Sequence, residues 1–302
     1  MTESNTSTSE QPTGPDTPLG NPETIVLEAL RMAYAQTGAG QYLGVYEQLR
    51  GRMAQRHAPS GQRVSDFAPA AQPTEAIRIR VVCATREDRE GFFSSTALGR
   101  SLSLHRPPAV EVRLFPRNTQ GLPVVYNLAI AESARDPVVM VFVHDDVHLC
   151  DFHWAQSLRR GLGRFDIVGL AGNRRRVPRQ PGWLFLDEKL TRDQRANLSG
   201  TVAHGRGYPP ETVDVFGPSG ERVALLDGLF LAARSETLHA KSLRFDERFD
   251  FHFYDLDFCR QAERMGLTMG TSPISVIHQS AGNFTTAGWQ AGYERYLEKW
   301  GD

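Results

Sequence analysis

The sequence predicts an α/β fold built on a mostly parallel central sheet flanked by helices. Three observations carry that expectation. From Ala76 onward, β-branched and apolar segments alternate with helical segments, as βαβ units require. One of them, Val138 to Val143 in VVMVFVHDDVH, is apolar throughout, which marks a strand buried on both faces. The chain is 40% hydrophobic and 23% charged over 302 residues, enough for one large domain or a domain with an appendage.

The elements follow in order. Residues 1–22 hold Ser, Thr, Pro and Gly and almost nothing to bury, so a disordered tail is expected. In 23–57, apolar residues at 26, 27, 30 and 34, then 42, 43, 45, 46, 49 and 53, recur at helical spacing. TGAG interrupts them, which predicts an N-terminal helical hairpin. A Pro-, Ala-, Ser- and Gln-rich linker (58–75) leads to the main domain, 76–302. There IRIRVVCA (77–84) and AVEVRLF (109–115) read as strands and Leu122 to Ser133 as a helix. The buried strand 138–143 comes next, then FDIVGLA (165–171) as one further strand. Residues 172–222 are rich in Gly, Pro and Arg with little periodicity, so a functional loop or lid is expected. Phe251, Tyr254, Phe258 and Ala262 suggest a helix from about residue 253, and a β-branched strand delivers His278. The C-terminal AGWQAGYERYLEKW reads as an amphipathic helix that packs on the core, with a peripheral membrane contact as the alternative role.

Composition excludes several classes. Lys plus Arg number 34 against 35 Asp plus Glu, so no strongly basic face for nucleic acid is expected. The short run Arg174-Arg175-Arg176 suits a solvated loop or a phosphate contact. Cys83, Cys150 and Cys259 lie far apart, which argues against a disulfide framework or a structural zinc site. The N-terminus lacks the pattern of a signal peptide, and no apolar run approaches the roughly 20 residues that span a bilayer. A cytoplasmic location with reduced thiols is therefore expected.

Ligands of open α/β sheets bind beyond the carboxyl ends of the strands. His144, Asp145, Asp146 and His148 sit at such an end. In an extended segment Asp146 and His148 point the same way, and a carboxylate and an imidazole can share Mn²⁺ or Mg²⁺. Alternatively, Asp145 or Asp146 caps a helix starting near Asp151. Asp255 and Asp257 fall in the first turn of the predicted helix, where the helix dipole favours an ionised carboxylate fit for a general base. Acidic residues also open many helices without further role. His278 is a ligand or a hydrogen-bonded structural residue.

Taken in order, VFVHDDVHL (141–149), LLDGLFLAARSETL (225–238), RFDERFDFHFYDLDFCRQAERMG (244–266) and VIHQS (276–280) resemble the family 2-like glycosyltransferases of the GT-A fold. The likeness is greatest to a bacterial subgroup with a histidine before its acidic metal motif, and covers roughly residues 77–285. The resemblance implies a nucleotide-sugar donor, a divalent cation (Mn²⁺ or Mg²⁺) that neutralises the leaving diphosphate, and a glycan, lipid-linked or protein acceptor. It implies Asp145 and Asp146 as the acidic motif, with metal ligands Asp146, His148 in a DxH variant, and His278. It places Asp255 as the inverting base, Asp257 as the fallback, and Tyr254 where the first acid of the usual pair stands. It sets Asp227-Gly228 beneath the sugar, Thr85-Arg86-Glu87 around base and ribose, and Asn127 on the donor side. A metal-dependent phosphohydrolase and a non-catalytic scaffold that recruits a partner through the hairpin remain as alternatives.

Overall fold

The computed structural model describes residues 78–107, 110–280, 282 and 284–301. It also describes Val26, Ala29, Leu30, Ala33, Thr37, Gln41, Tyr42, Val45, Tyr46, Gln48 and Leu49, all of them helical and falling on both sides of Gly38. The expected tail and linker, and the pairing within the expected hairpin, lie outside the described residues. The chain divides into two compact units, Met1–Thr74 and Glu75–Asp302.

The second unit opens with β1 (Ile79–Ala84), α1 (Arg89–Ser95), α2 (Ala97–His105), β2 (Val110–Phe115) and α3 (Leu122–Glu132). Next come β3 (Val139–Val143), β4 (Val147–Leu149), α4 (Trp154–Leu162), β5 (Ile167–Gly169) and β6 (Ala171–Asn173). Then follow β7 (Leu198–His204), β8 (Thr212–Gly217), β9 (Arg222–Val223), β10 (Leu225–Leu226), β11 (Phe230–Arg234) and α5 (Ser235–Ala240). The chain closes with α6 (Tyr254–Arg264), β12 (Met269–Thr271), β13 (Val276–His278) and α7 (Ala287–Trp300).

The main sheet has the order β2-β1-β3-β11-β5-β12-β9. β1 is parallel to β2 and β3, and β12 is parallel to β5. β11 is antiparallel to both its neighbours, and β9 is antiparallel to β12. β2, β1, β3, β5 and β12 therefore all run one way, so the sheet is mostly parallel as the sequence predicts. Every residue of β3 is buried, which is why its sequence is apolar without alternation.

A second sheet, β10-β6-β7-β13-β4 with β8 on β7, lies outside the sequence expectation. Residues 172–222, read as a loop or lid, carry the end of β6 and all of β7 and β8. The single strand expected over 165–171 is two strands, β5 in the main sheet and β6 in the second. Short strands hide from a periodicity test, and Gly200 shows a further cause. Its φ is +103°, and a Cβ there would lie 2.0 Å from the Leu170 carbonyl, so the crossing needs glycine. α4 begins at Trp154 behind His153, with no side-chain cap, so neither Asp145 nor Asp146 caps it.

An aromatic cluster seats α6 under β3. Phe142, Tyr126 and Phe245 pack at 4.9–5.3 Å between ring centres, and Phe245 stacks on Phe258 at 4.3 Å. α7 starts where Thr286 Oγ1 accepts from Trp289 N and ends at Gly301, whose φ of 72° and N–H to the Leu297 carbonyl close the helix. It buries Trp289, Tyr293, Tyr296 and Trp300, the packing role expected for it.

Candidate active site

β3 ends at Val143, and the backbone turns through Asp145 and Asp146 before β4 begins. β13 pairs antiparallel with β4, with His278 opposite Val147, and the Gln279 N–H donates to the Asp146 carbonyl at 3.0 Å. This pairing carries His278 back to the end of β3. Ligand atoms of His144, Asp146 and His278 all lie within 4.8 Å of one another, and His278 Nε2 is 3.4 Å from Asp146 Oδ2. Burial works against the charge on Asp146, but the His278 hydrogen bond and charge, then His144, outweigh it and hold this carboxyl at about 2. Burial pushes the His144 imidazole down. His278 is raised despite burial, by its contact with Asp146.

These three residues fit a divalent cation. Asp146 Oδ1 is buried and makes no hydrogen bond, so it carries an unused lone pair inside the cluster. Two imidazoles and a carboxylate form a donor set of the kind that binds first-row divalent metals. His148, the expected ligand, is not part of the cluster. The turn at 145–146 breaks the strand alternation that would have aligned it with Asp146, and His148 instead sits in β4 opposite Ile277. His144, which the motif reading left without a role, joins the cluster in its place.

The floor is built by the β10–β11 turn and the first turn of α6. Gly228 is gripped on both sides: its N–H donates to Asp255 Oδ2 at 3.0 Å, and its carbonyl accepts from the Tyr254 hydroxyl at 2.8 Å. A Cβ at 228 would lie 2.5 Å from that hydroxyl oxygen, so only glycine fits. His144 Nε2 also bonds the Tyr254 hydroxyl, at 2.8 Å. Asp227 accepts from Trp183 Nε1 at 2.8 Å and from its neighbour Leu229 N. Burial, and next the charge of Asp227, push the Asp255 carboxyl up to about 7.

A cavity of about 680 Å³ joins these groups. His144, Asp146, His278, Asp227, Gly228 and Asp255 line one side, and Trp183, Phe185, Phe251, Phe284 and Trp289 form an aromatic wall. His204 of β7 and Asp214 of β8, 3.5 Å apart, also face it. No sequence signal marked these two, because their strands were read as loop.

The other expected site residues lie elsewhere. Asp145 accepts from Thr85 Oγ1 at 2.7 Å and so faces β1. Thr85, Arg86 and Glu87 form the loop after β1, tied to the exit of β2 by Asn118 N to the Thr85 carbonyl and Arg117 N to the Glu87 carbonyl. Asn127 spends its amide on both main-chain groups of Phe245. Asp257 is fully buried between helices, accepting from Trp300 Nε1 at 2.8 Å and Gln261 Nε2 at 2.7 Å, with Lys299 beside it. It locks α7 to α6 and does not line the cavity.

A mostly parallel sheet whose strand ends open on a cation-ready cluster, flanked by a smaller second sheet, defines a protein of the GT-A class. Residues 83–300 match the model described as a glycosyltransferase like family, and the chain belongs to that family. No curated protein matches the sequence. Among solved structures, residues 1–349 of S. aureus TarS align with 13% identity over 67% of this chain and 60% of that one, at a TM-score of 0.39. GalNAc-T7 with UDP, GalNAc and Mn²⁺ aligns with 10% identity over 74% and 48%, at 0.46. The mannosyltransferase PcManGT of Pyrobaculum calidifontis, in complex with GDP-Man and Mn²⁺, aligns with 13% identity over 91% and 73%, at 0.41. The chain thus spans less than two thirds of the first two, and the family assignment rests on the 83–300 match.

Proposed function

We propose that this chain transfers a sugar from a nucleotide-diphosphate sugar to an acceptor hydroxyl with inversion. In this reading Asp255 is the base, and His144, Asp146 and His278 hold a divalent cation. One observation carries it: the Asp255 carboxyl, held on Gly228 N, opens on the same cavity as the His/Asp/His cluster. Burial and the neighbouring Asp227 make this carboxylate a stronger base than an exposed one, which suits it to take a proton from the acceptor. The bound cation supplies charge neutralisation to the departing diphosphate. Mn²⁺ suits two imidazoles better than Mg²⁺, which prefers an oxygen shell.

The remaining residues take supporting roles. Asp227, fixed by Trp183, supports the sugar, and Gly228 holds Tyr254 and Asp255 beneath it. Thr85, Arg86 and Glu87 stand at the strand ends where the nucleoside would lie. The aromatic wall offers ring faces to a glycan acceptor.

The test is calorimetric binding of UDP, GDP, dTDP and CDP, each with and without Mn²⁺, to the wild type and to Asp146→Ala. Mn²⁺-dependent binding of one nucleotide, lost in the variant, supports the reading and names the donor class. If none binds, the transferase reading fails for this chain.

A further inference from the structure

The residue that starts α6 has an unusual backbone. Phe253 is its N-cap, with φ 66° and ψ 0°. An N-cap ordinarily takes an extended conformation, and the left-handed region is disfavoured for a bulky side chain. Such a conformation persists where the surroundings over-determine it, and these positions gather at functional sites. Here the surroundings are one face of α7. Trp289, Tyr293 and Tyr296 lie 5.4–5.6 Å from the Phe253 ring. Trp289 and Tyr293 also stack on each other at 5.6 Å.

The sequence repeat that builds this face is Ala-Gly-Trp followed by Ala-Gly-Tyr, 287–289 and 291–293. Its two glycines differ. A Cβ at Gly292 would lie 2.9 Å from Phe253 Cδ2, whereas one at Gly288 would meet His252 Cδ2 at 4.0 Å. Gly292 is therefore the gap into which the Phe253 ring fits. From Phe253 the helix begins, its carbonyl accepting from Asp257 N at 2.9 Å, and Asp255 lies two residues on with its Oδ2 on Gly228 N.

We propose that the aromatic face of α7, opened at Gly292, is a positioning device for the Asp255 carboxylate, acting by holding Phe253 in its left-handed conformation. Gly292, Trp289, Tyr293 and Tyr296 are then positioning residues, and the C-terminal helix is part of the catalytic apparatus. The proposal rests on Asp255 acting as the base.

The test compares Gly292→Ala with Gly288→Ala, which adds the same methyl to the same helix in open space. Two measurements are made on each. The first is carbon-13 titration of the Asp255 carboxyl, which needs no substrate. The ionisable groups facing that carboxyl are Asp227 from the β10–β11 turn and Tyr254 and Cys259 of α6, and none of them is altered. The second is nucleoside diphosphate release from UDP-glucose and GDP-mannose with water as acceptor, repeated in an Asp255→Asn background.

Gly292→Ala should lower the Asp255 midpoint by a full pH unit or more and cut the release rate about tenfold, with nucleotide affinity unchanged within twofold. In the Asp255→Asn background it should cost nothing further. Gly288→Ala should leave everything as in the wild type. The proposal is overturned by an unmoved midpoint, or by an equal loss of rate in both backgrounds, which would mark Gly292 as structural. Full activity of Asp255→Asn alone overturns the base reading first, and the positioning proposal with it. If Gly292→Ala does not fold, Tyr293→Leu, which removes a ring without inserting an atom, carries the same expectations.

Discussion

Asp255→Asn should abolish transfer and stabilise the protein, and the two effects have one cause. The carboxyl rises from its ordinary 3.8 to about 7, chiefly through burial and then through Asp227. A raised carboxylate pKa means that the folded state holds the proton more tightly than the unfolded one. Below pH 3.8 both states are protonated and there is no penalty. Between 3.8 and 7 the unfolded chain ionises first, so stability falls as pH rises, and above 7 the loss is complete. At 1.36 kcal/mol per pH unit the full loss is about 4 kcal/mol, and contact with the open cavity reduces it to about 2–4 kcal/mol. Asparagine keeps an acceptor for Gly228 N and carries no charge. Urea unfolding of both proteins at pH 5 and pH 8, with EDTA to exclude bound metal, reads the effect directly. The stability gain of Asp255→Asn should be larger at pH 8 than at pH 5 by about 2 kcal/mol. Parallel stabilities at the two pH values would refute the argument, because Asp255 would then have an ordinary proton affinity and no fitness as a base at neutral pH.

Four further outcomes are expected. His144→Ala should weaken Mn²⁺ binding by about 10–100-fold, as loss of a group at a metal site does, while His148→Ala leaves it within about twofold; calorimetry with Mn²⁺ separates them. Asp257→Ala should cost about 1–3 kcal/mol in urea unfolding by leaving the buried Trp300 Nε1 without its acceptor, while Lys299 keeps Asp246, with nucleotide affinity intact in the folded fraction. Asn127→Ala should likewise cost about 1–3 kcal/mol by freeing the Phe245 main chain, and should not alter the nucleotide Kd. Trp183→Phe, which removes the donor to Asp227, should lower transfer with little change in nucleotide affinity, measured as kcat against Kd.

Four strands of the main sheet were legible: β3 is apolar without a break, β1 and β2 carry β-branched residues between helices, and β5 falls within an apolar run; β11, β12 and β9 of the same sheet were not read as strands. The second sheet was not legible, since β4, β6 and β10 are two or three residues long and β7 is interrupted by a glycine that has to pass a carbonyl. The same limit governed the site. Asp146, His278, Asp227, Gly228 and Asp255 were named from motifs and do line one cavity. Asp257 and Asn127 look identical in sequence to the polar residues that line the cavity, and only the partners they meet across long sequence separations, Trp300 and Phe245, show that they lie away from it. His204 and Asp214 depend on strand pairing that no local pattern announces.

The exchange of His148 for His144 shows how tertiary contacts decide between two histidines that a motif cannot rank. A period-two argument holds while the chain is extended, and the chain stops being extended at Asp145. His144 is then oriented by Tyr254, whose single hydroxyl proton goes to the Gly228 carbonyl, a group that can only accept. The bond between that hydroxyl and His144 Nε2 must therefore be donated by the imidazole. In the neutral ring that burial favours, this fixes the proton on Nε2 and leaves the Nδ1 lone pair open. Tyr254 and Asp255, adjacent in sequence, thus bind the two faces of one peptide glycine, and the first of them also sets the tautomer of His144. The cluster at the end of β3 and the carboxyl at the start of α6 are joined by three hydrogen bonds through Tyr254 and Gly228, so a shift of the first turn of α6 is felt at both.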